Sequence, residues 1–278
     1  MFNRNFFKKD EGHLAKTRKE QYGYILRNNI STLFSANIIT FLFMIPLVLT
    51  YFYFAIGYHN LHKVNTTEAN KYFTLFVLTG GFILLSTFLF NIGLIGLNSV
   101  IKQLVFESSS KISTFFKGIK SNFFDSLGFN FFYSLVFGLL FINLGFYLYV
   151  EYNPIFKLII LIVNCLIAFT LLLGKGYLNF EIVTFKNKTL IYIRNSIYLF
   201  YKNLPYSLIE LVLILFPFLA FAFIPFSFAF IPLGFLATAY LSFYSLTTFM
   251  LSISVYERLF NKDEIKDIYH KGLEDINL

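Results

Sequence analysis

The sequence has no tryptophan, one cysteine and 14% charged residues, where a soluble domain carries about a quarter. Each shortage excludes something. The lone cysteine, Cys165, allows no intrachain disulfide and no Cys-based metal cluster, and inside an apolar run it reads as a small packing residue. A hydrophobic share of 57% and a mean hydropathy of +0.66 argue against a soluble globular chain. Residues 1–28 are polar and charged, with no early apolar segment, so no cleavable signal peptide is expected there. Also missing are a P-loop, a nucleophile elbow, an HExxH pair and paired carboxylates at a common depth. No cofactor, no resident metal and no enzyme is therefore expected. His59 and His62 have metal-compatible spacing but lack a third ligand nearby, which favours a solvated loop.

What the chain has is aromatic apolar sequence, with 40 Phe and 19 Tyr, laid out in runs. A membrane-spanning helix needs about 20 apolar residues, and six stretches qualify. They cover Leu33–Tyr58, Tyr72–Asn98, Phe124–Val150, Ile155–Leu178, Leu204–Ile224 and Phe228–Ser252. The last two form one near-continuous run, which must fold back on itself at Pro225-Phe226-Ser227 or at Pro232, because proline interrupts the helical ladder.

The basic residues set an orientation. The N-terminal tail holds seven, residues 99–123 four, residues 179–203 with Lys175 five, and the C-terminal tail four. The three alternating segments share only Lys63, Lys71 and Lys157. That asymmetry is the positive-inside pattern, so an all-α polytopic protein with both termini cytoplasmic is expected. Dispersal beside apolar runs excludes a nucleic-acid surface and suits contact with an anionic inner leaflet. The expected organisation is a basic tail over 1–32, a six-helix membrane domain over 33–252 and a charged tail over 253–278.

Two finer patterns stand out. A basic residue, Asn, three residues, then Ser or Thr and Leu recurs at Asn28, Asn122 and Asn203. It reads either as three helical hairpins, each capped by the Asn and hydroxyl side chains, or as the shared composition of any inner boundary. Residues 111–124 place Ile112, Phe115, Phe116, Ile119 and Phe123 on one helical face, and 186–201 do the same with Leu190, Ile193, Ile197 and Phe200. Both read as amphipathic connector helices lying in the membrane interface or docking a partner.

Chemistry is sparse. Glu210 is the one ionisable residue well inside an expected span, about 9 Å from the helix start at 1.5 Å per residue. A buried carboxylate must be paired, protonated or hydrated. Tyr206, one turn earlier, and Asn side chains of other helices are the expected donors. Asn37, Asn91, Asn130, Asn143 and Asn164 are also embedded; they either bridge helices or line a polar cavity with Glu210.

Several segments, in order, resemble the YesL-like family of bacterial integral membrane proteins: Tyr24-Ile25-Leu26-Arg27-Asn28 with Asn37 and Pro46, Gly96 to Leu104, Phe115-Phe116-Lys117-Gly118-Ile119-Lys120-Ser121-Asn122-Phe123, Tyr177 to Phe185, and Lys202-Asn203-Leu204-Pro205. The family's usual tryptophans are absent. The resemblance implies a multi-pass protein of the bacterial cytoplasmic membrane and a context of carbohydrate uptake, with transporter subunits as partners. It transfers no site residue. Two functions stand: a non-enzymatic accessory of an ABC-type carbohydrate importer, or a stand-alone small-molecule permease with a polar cavity near Glu210. A reporter fused after Leu278 is predicted to be active only if it is one that works in the cytoplasm; periplasmic activity there would overturn the orientation.

Overall fold

The computed structural model describes residues 15–63, 68–149, 153–185, 187–223, 230–263 and 265–273. Its described residues are helical apart from short connections and one isolated bridge between Ala15 and Leu273. In chain order the helices are α1 (Arg18–Asn28), α2 (Ile30–Lys63), α3 (Ala69–Glu107), α4 (Ser113–Tyr149), α5 (Pro154–Thr184), α6 (Thr189–Lys202), α7 (Leu204–Phe223) and α8 (Phe230–Phe235). A π-helical turn, Leu236–Tyr240, then joins α8 to α9 (Leu241–Leu259). Among the described residues five helices are long and apolar enough to cross a membrane: α2, α3, α4, α5 and the helix over Pro232–Leu259. The fifth expected stretch forms the shorter α7, of 20 residues. The turn expected at 225–227 lies outside the described residues.

The helices run past their expected inner ends. This corrects the first connector, because 111–124 is not a separate interfacial helix. From Ser113 it is the start of α4, and Phe115 is fully buried. Small residues make the difference. A Cβ on Gly118 would lie 2.2 Å from the Ser99 side chain, and one on Gly96 would lie 2.7 Å from the Phe115 ring. The α3–α4 pair continues this close approach at Gly80 and Gly138, each meeting the other's carbonyl oxygen. Asn122 is therefore in mid-helix and caps nothing; its side chain donates to the Gly118 carbonyl at 2.9 Å. At the other two positions a short helix does meet a long one, at Asn29 between α1 and α2 and at Asn203 between α6 and α7.

The second connector does form a separate helix, α6, but its buried residues are Tyr192, Ser196, Leu199 and Phe200, while Leu190 is 79% exposed. It packs back on α5. The Tyr192 hydroxyl closes that turn, donating to the Phe185 carbonyl and accepting from the Asn187 N–H, both at 2.8 Å.

As a result α5 has two characters. Its N-terminal half, the expected outer half, exposes Ile155, Phe156, Leu158, Ile159, Ile162 and Leu166, whereas every described residue from Gly174 to Val183 is buried. The segments expected as tails also meet. Arg18 pairs with Glu257 at 2.5 Å and donates to the Lys271 carbonyl at 2.9 Å, and Gln21 donates to the carbonyls of Val105 and Gly272. Ile265 and Ile268 join the core beneath them.

The π turn has an identifiable partner. One extra residue in a helical turn breaks the regular carbonyl ladder. The Asn37 amide of α2 donates to the carbonyls of Leu236 at 2.8 Å and Ala237 at 2.7 Å, and its oxygen accepts from the Ser242 N–H at 2.7 Å. Substituting Gly138 by Leu, which drives a side chain against the Gly80 backbone, is predicted to destabilise the bundle by about 1–3 kcal/mol. Gly81→Ala, where a Cβ meets nothing within 4 Å, is the matched control. Unfolding midpoints in mixed micelles test the pair, and equal midpoints would refute the packing argument.

Candidate functional site

Glu210 lies on α7, a helix at the edge of the bundle. Its outward residues Leu204, Leu208, Ile209, Val212 and Phe216 are exposed, while Ser207 and Glu210 face inward and are buried. Between helices in an apolar medium there is no hydrophobic drive, so polar contacts and close packing must hold such a helix. Ser207 turns back on its own chain, donating to the carbonyls of Asn203 at 3.2 Å and Phe200 at 3.3 Å. Glu210 reaches outside it. Its carboxylate accepts from the Gly176 N–H of α5 and from the Tyr244 hydroxyl of α9, the latter at 3.3 Å. Glycine is required at 176, since a Cβ there would sit 2.6–2.7 Å from the carboxylate atoms.

The next residue along α5 from Gly174 is Lys175, buried at 9% exposure. Its ammonium donates to Asn91 Oδ1 of α3 at 2.5 Å. It also lies over two α4 rings, 4.4 Å from the Tyr133 centroid and 5.3 Å from that of Phe129, within cation–π range. Lys175 and Glu210 interact electrostatically, yet among the described residues no carboxylate lies within 4.0 Å of the ammonium. An amine and a carboxyl group are thus buried together but bonded to neutral partners. On the same helices Asn91 Nδ2 of α3, Asn130 Oδ1 of α4 and Ser245 Oγ of α9 are buried polar atoms with no partner among the described residues.

Deeper along α5, Glu181 is fully buried. Tyr256 of α9 donates to one of its oxygens, and Asn195 of α6 approaches the other at 3.5 Å. Arg258 donates to the Asn203 side chain and stacks over the Tyr206 ring, 4.9 Å from its centroid.

The expected site is therefore redrawn. Glu210 keeps its place at the centre. Tyr206 is not its donor, because that ring faces Arg258, and Gly176 and Tyr244 serve instead. Asn37 is committed to the π turn. Asn143, which is exposed, and Asn164 pair with each other at 3.4 Å, joining α4 to the outer half of α5. The residues that sequence reasoning missed are Lys175, Glu181, Tyr244 and Tyr256. Lys175 was read as an inner-boundary charge, although its glycine neighbours at 174 and 176 were a signal of close helix approach. Glu181 fell beyond the expected end of the span, and nothing in its flanking sequence marked it. The comparisons with known proteins add no relative: no family model, curated protein or solved structure matches this chain.

Glu210→Gln is predicted to preserve the fold, since an amide oxygen still accepts from Gly176 and Tyr244. Glu210→Leu strands the Tyr244 hydroxyl and should cost about 1–3 kcal/mol. A double-mutant cycle of Glu210→Gln with Lys175→Met is expected to give a coupling of about 0.5–3 kcal/mol. Additive effects within error would show that the two charges do not communicate.

Proposed function

We propose that the protein is a permease of the bacterial cytoplasmic membrane, with six spans and both termini inside, in which Glu210 and Lys175 form a charge-coupled site for a small polar solute. One observation carries this reading: two ionisable groups of opposite kind are buried on adjacent helices, and each is held by a neutral partner on a third helix rather than by the other. Embedded ionisable groups are costly and mark transport or proton pathways by default. A coupled permease needs more than one embedded ionisable group, and Lys175 supplies a second beside Glu210.

Six spans are supported by the ends of the chain. Arg18 and Glu257 touch, so both ends lie on one side, and this requires an even number of crossings. The five long helices then need α7 as a sixth. The clustering of basic residues at that same end supports the inward orientation.

Neutralising Glu210, by a proton or by a cationic group of the solute, leaves the Lys175 ammonium without its counter-charge in a poorly polarisable site. That state is expensive and favours a rearrangement that admits water. α7 is the element placed to move, because it lies at the edge of the bundle and its buried carboxyl group is bonded to both α5 and α9.

The accessory reading, with kinship to the YesL-like family and a carbohydrate importer as partner, is favoured by one feature. The outer half of α5 stands clear of the bundle, exposed on nearly all sides, as a helix awaiting either lipid or a partner span would be. A solute-uptake assay in cells, with membrane abundance as control, separates the two. The permease reading predicts that Glu210→Gln reaches normal abundance but loses uptake together with its pH dependence. Unchanged uptake by that variant, or a stoichiometric importer subunit that copurifies with a protein unable to transport alone, would favour the accessory.

A further inference from the structure

At the end of the bundle where the two chain ends meet, the inner parts of α3, α4 and α5 do not close on each other. They leave a cavity of about 520 Å³, floored by Gly118 and Ser99 and capped by Lys271 from the segment after α9. It lies apart from Glu210 and Lys175. Three lysines from three different parts of the chain line it: Lys102 of α3, Lys117 of α4 and Lys271.

Two of the three are held in place. Lys102 donates to the Val183 carbonyl at 2.6 Å, and the Lys271 ammonium sits 5.1 Å from the centroid of Phe106, another wall residue. The segment carrying Lys271 is itself fixed, since Arg18, paired with Glu257, binds the Lys271 carbonyl. Lys117 is exposed at the rim. The single carboxylate in the wall, Glu107, accepts from Gln103 at 2.8 Å, and Gln103 in turn accepts from Ser110 and Thr114. Within the described residues it makes no ion pair with Lys117 or Lys271. One further wall group, the buried Thr184 hydroxyl, has no partner among the described residues.

We propose that this cavity binds a phosphate-bearing anion, with Lys102, Lys117 and Lys271 around the phosphate oxygens and the Thr184 hydroxyl as an additional donor. Three lysines line the cavity, with Glu107 as the carboxylate among its described wall residues, and lysine serves phosphate well as a point charge. The volume exceeds what inorganic phosphate needs and falls in the range of small-ligand sites. Phe106, Val183 and Phe185 supply an apolar wall for whatever carries the phosphate. Basic pockets between membrane helices at an anionic leaflet hold lipid head groups by this same chemistry, and a soluble phosphate ester would satisfy it equally.

The test is native mass spectrometry of the full-length protein released from detergent, titrated with phosphatidylglycerol and, in parallel, with phosphatidylcholine. The expected result is a discrete 1:1 phosphatidylglycerol adduct, at least tenfold weaker in the double variant Lys117→Gln/Lys271→Gln. The control double variant Lys111→Gln/Lys120→Gln, which removes two exposed charges of the same region outside the cavity, should bind like wild type. Adduct formation in the presence of inorganic phosphate identifies the source. Competition at millimolar phosphate assigns the site to soluble phosphate compounds, and persistence of the lipid adduct assigns it to a head group; both support a phosphate site. Equal weakening by both double variants would mean diffuse surface attraction and would overturn the proposal, as would the absence of any saturable adduct. Unchanged helical content and unfolding midpoints of the variants establish that folding is not the cause.

Discussion

The inner half of α5 carries an ammonium at Lys175 and a carboxyl group at Glu181 into a region enclosed on all sides by protein, and the surrounding helices are arranged to answer them. α3 supplies Asn91, α4 the faces of Phe129 and Tyr133, α6 Asn195, α7 Glu210, and α9 Tyr256. A buried charge without partners costs far more than any one contact returns, so each of these helices is constrained in depth and rotation by the need to present its partner group. The bundle is organised around that requirement.

Close approach makes the arrangement possible. Gly176 lets the Glu210 carboxylate reach the α5 backbone, and Gly80, Gly96, Gly118 and Gly138 let α3 and α4 run as one tight antiparallel pair from end to end. Such contacts matter because helices surrounded by lipid gain nothing from hiding apolar side chains from one another. The outer half of α5 shows the contrast: among the described residues its side chains find a polar partner on another helix at Asn143, and it stands away from the bundle.

Asn37 and the π turn show how one side chain satisfies an irregularity in a helix. The carbonyls of Leu236 and Ala237 are satisfied by one amide from α2, which also accepts from Ser242, while the Ser242 hydroxyl donates to the Leu33 carbonyl at 2.7 Å. The turn leads into α9, which a little further on presents Tyr244 to Glu210.

Much of this was legible in the sequence, and the boundary has a physical cause. Hydropathy located the helices, because a spanning helix must be apolar along its length whatever surrounds it, and the lone acidic residue in the run at 204–224 marked Glu210 as the candidate. Local sequence could not show which residues meet. Lys175 looks like any boundary lysine until α3 and α4 close over it, and Glu181 looks like part of a connector until α6 folds back. Phe115, read as a membrane-facing anchor, turns inward because of glycines on two different helices. The composition and spacing of the chain determined an all-helical protein built from long apolar segments. Only the tertiary structure decided which polar groups are buried together, because that depends on how helices far apart in sequence rotate to satisfy one another's charges.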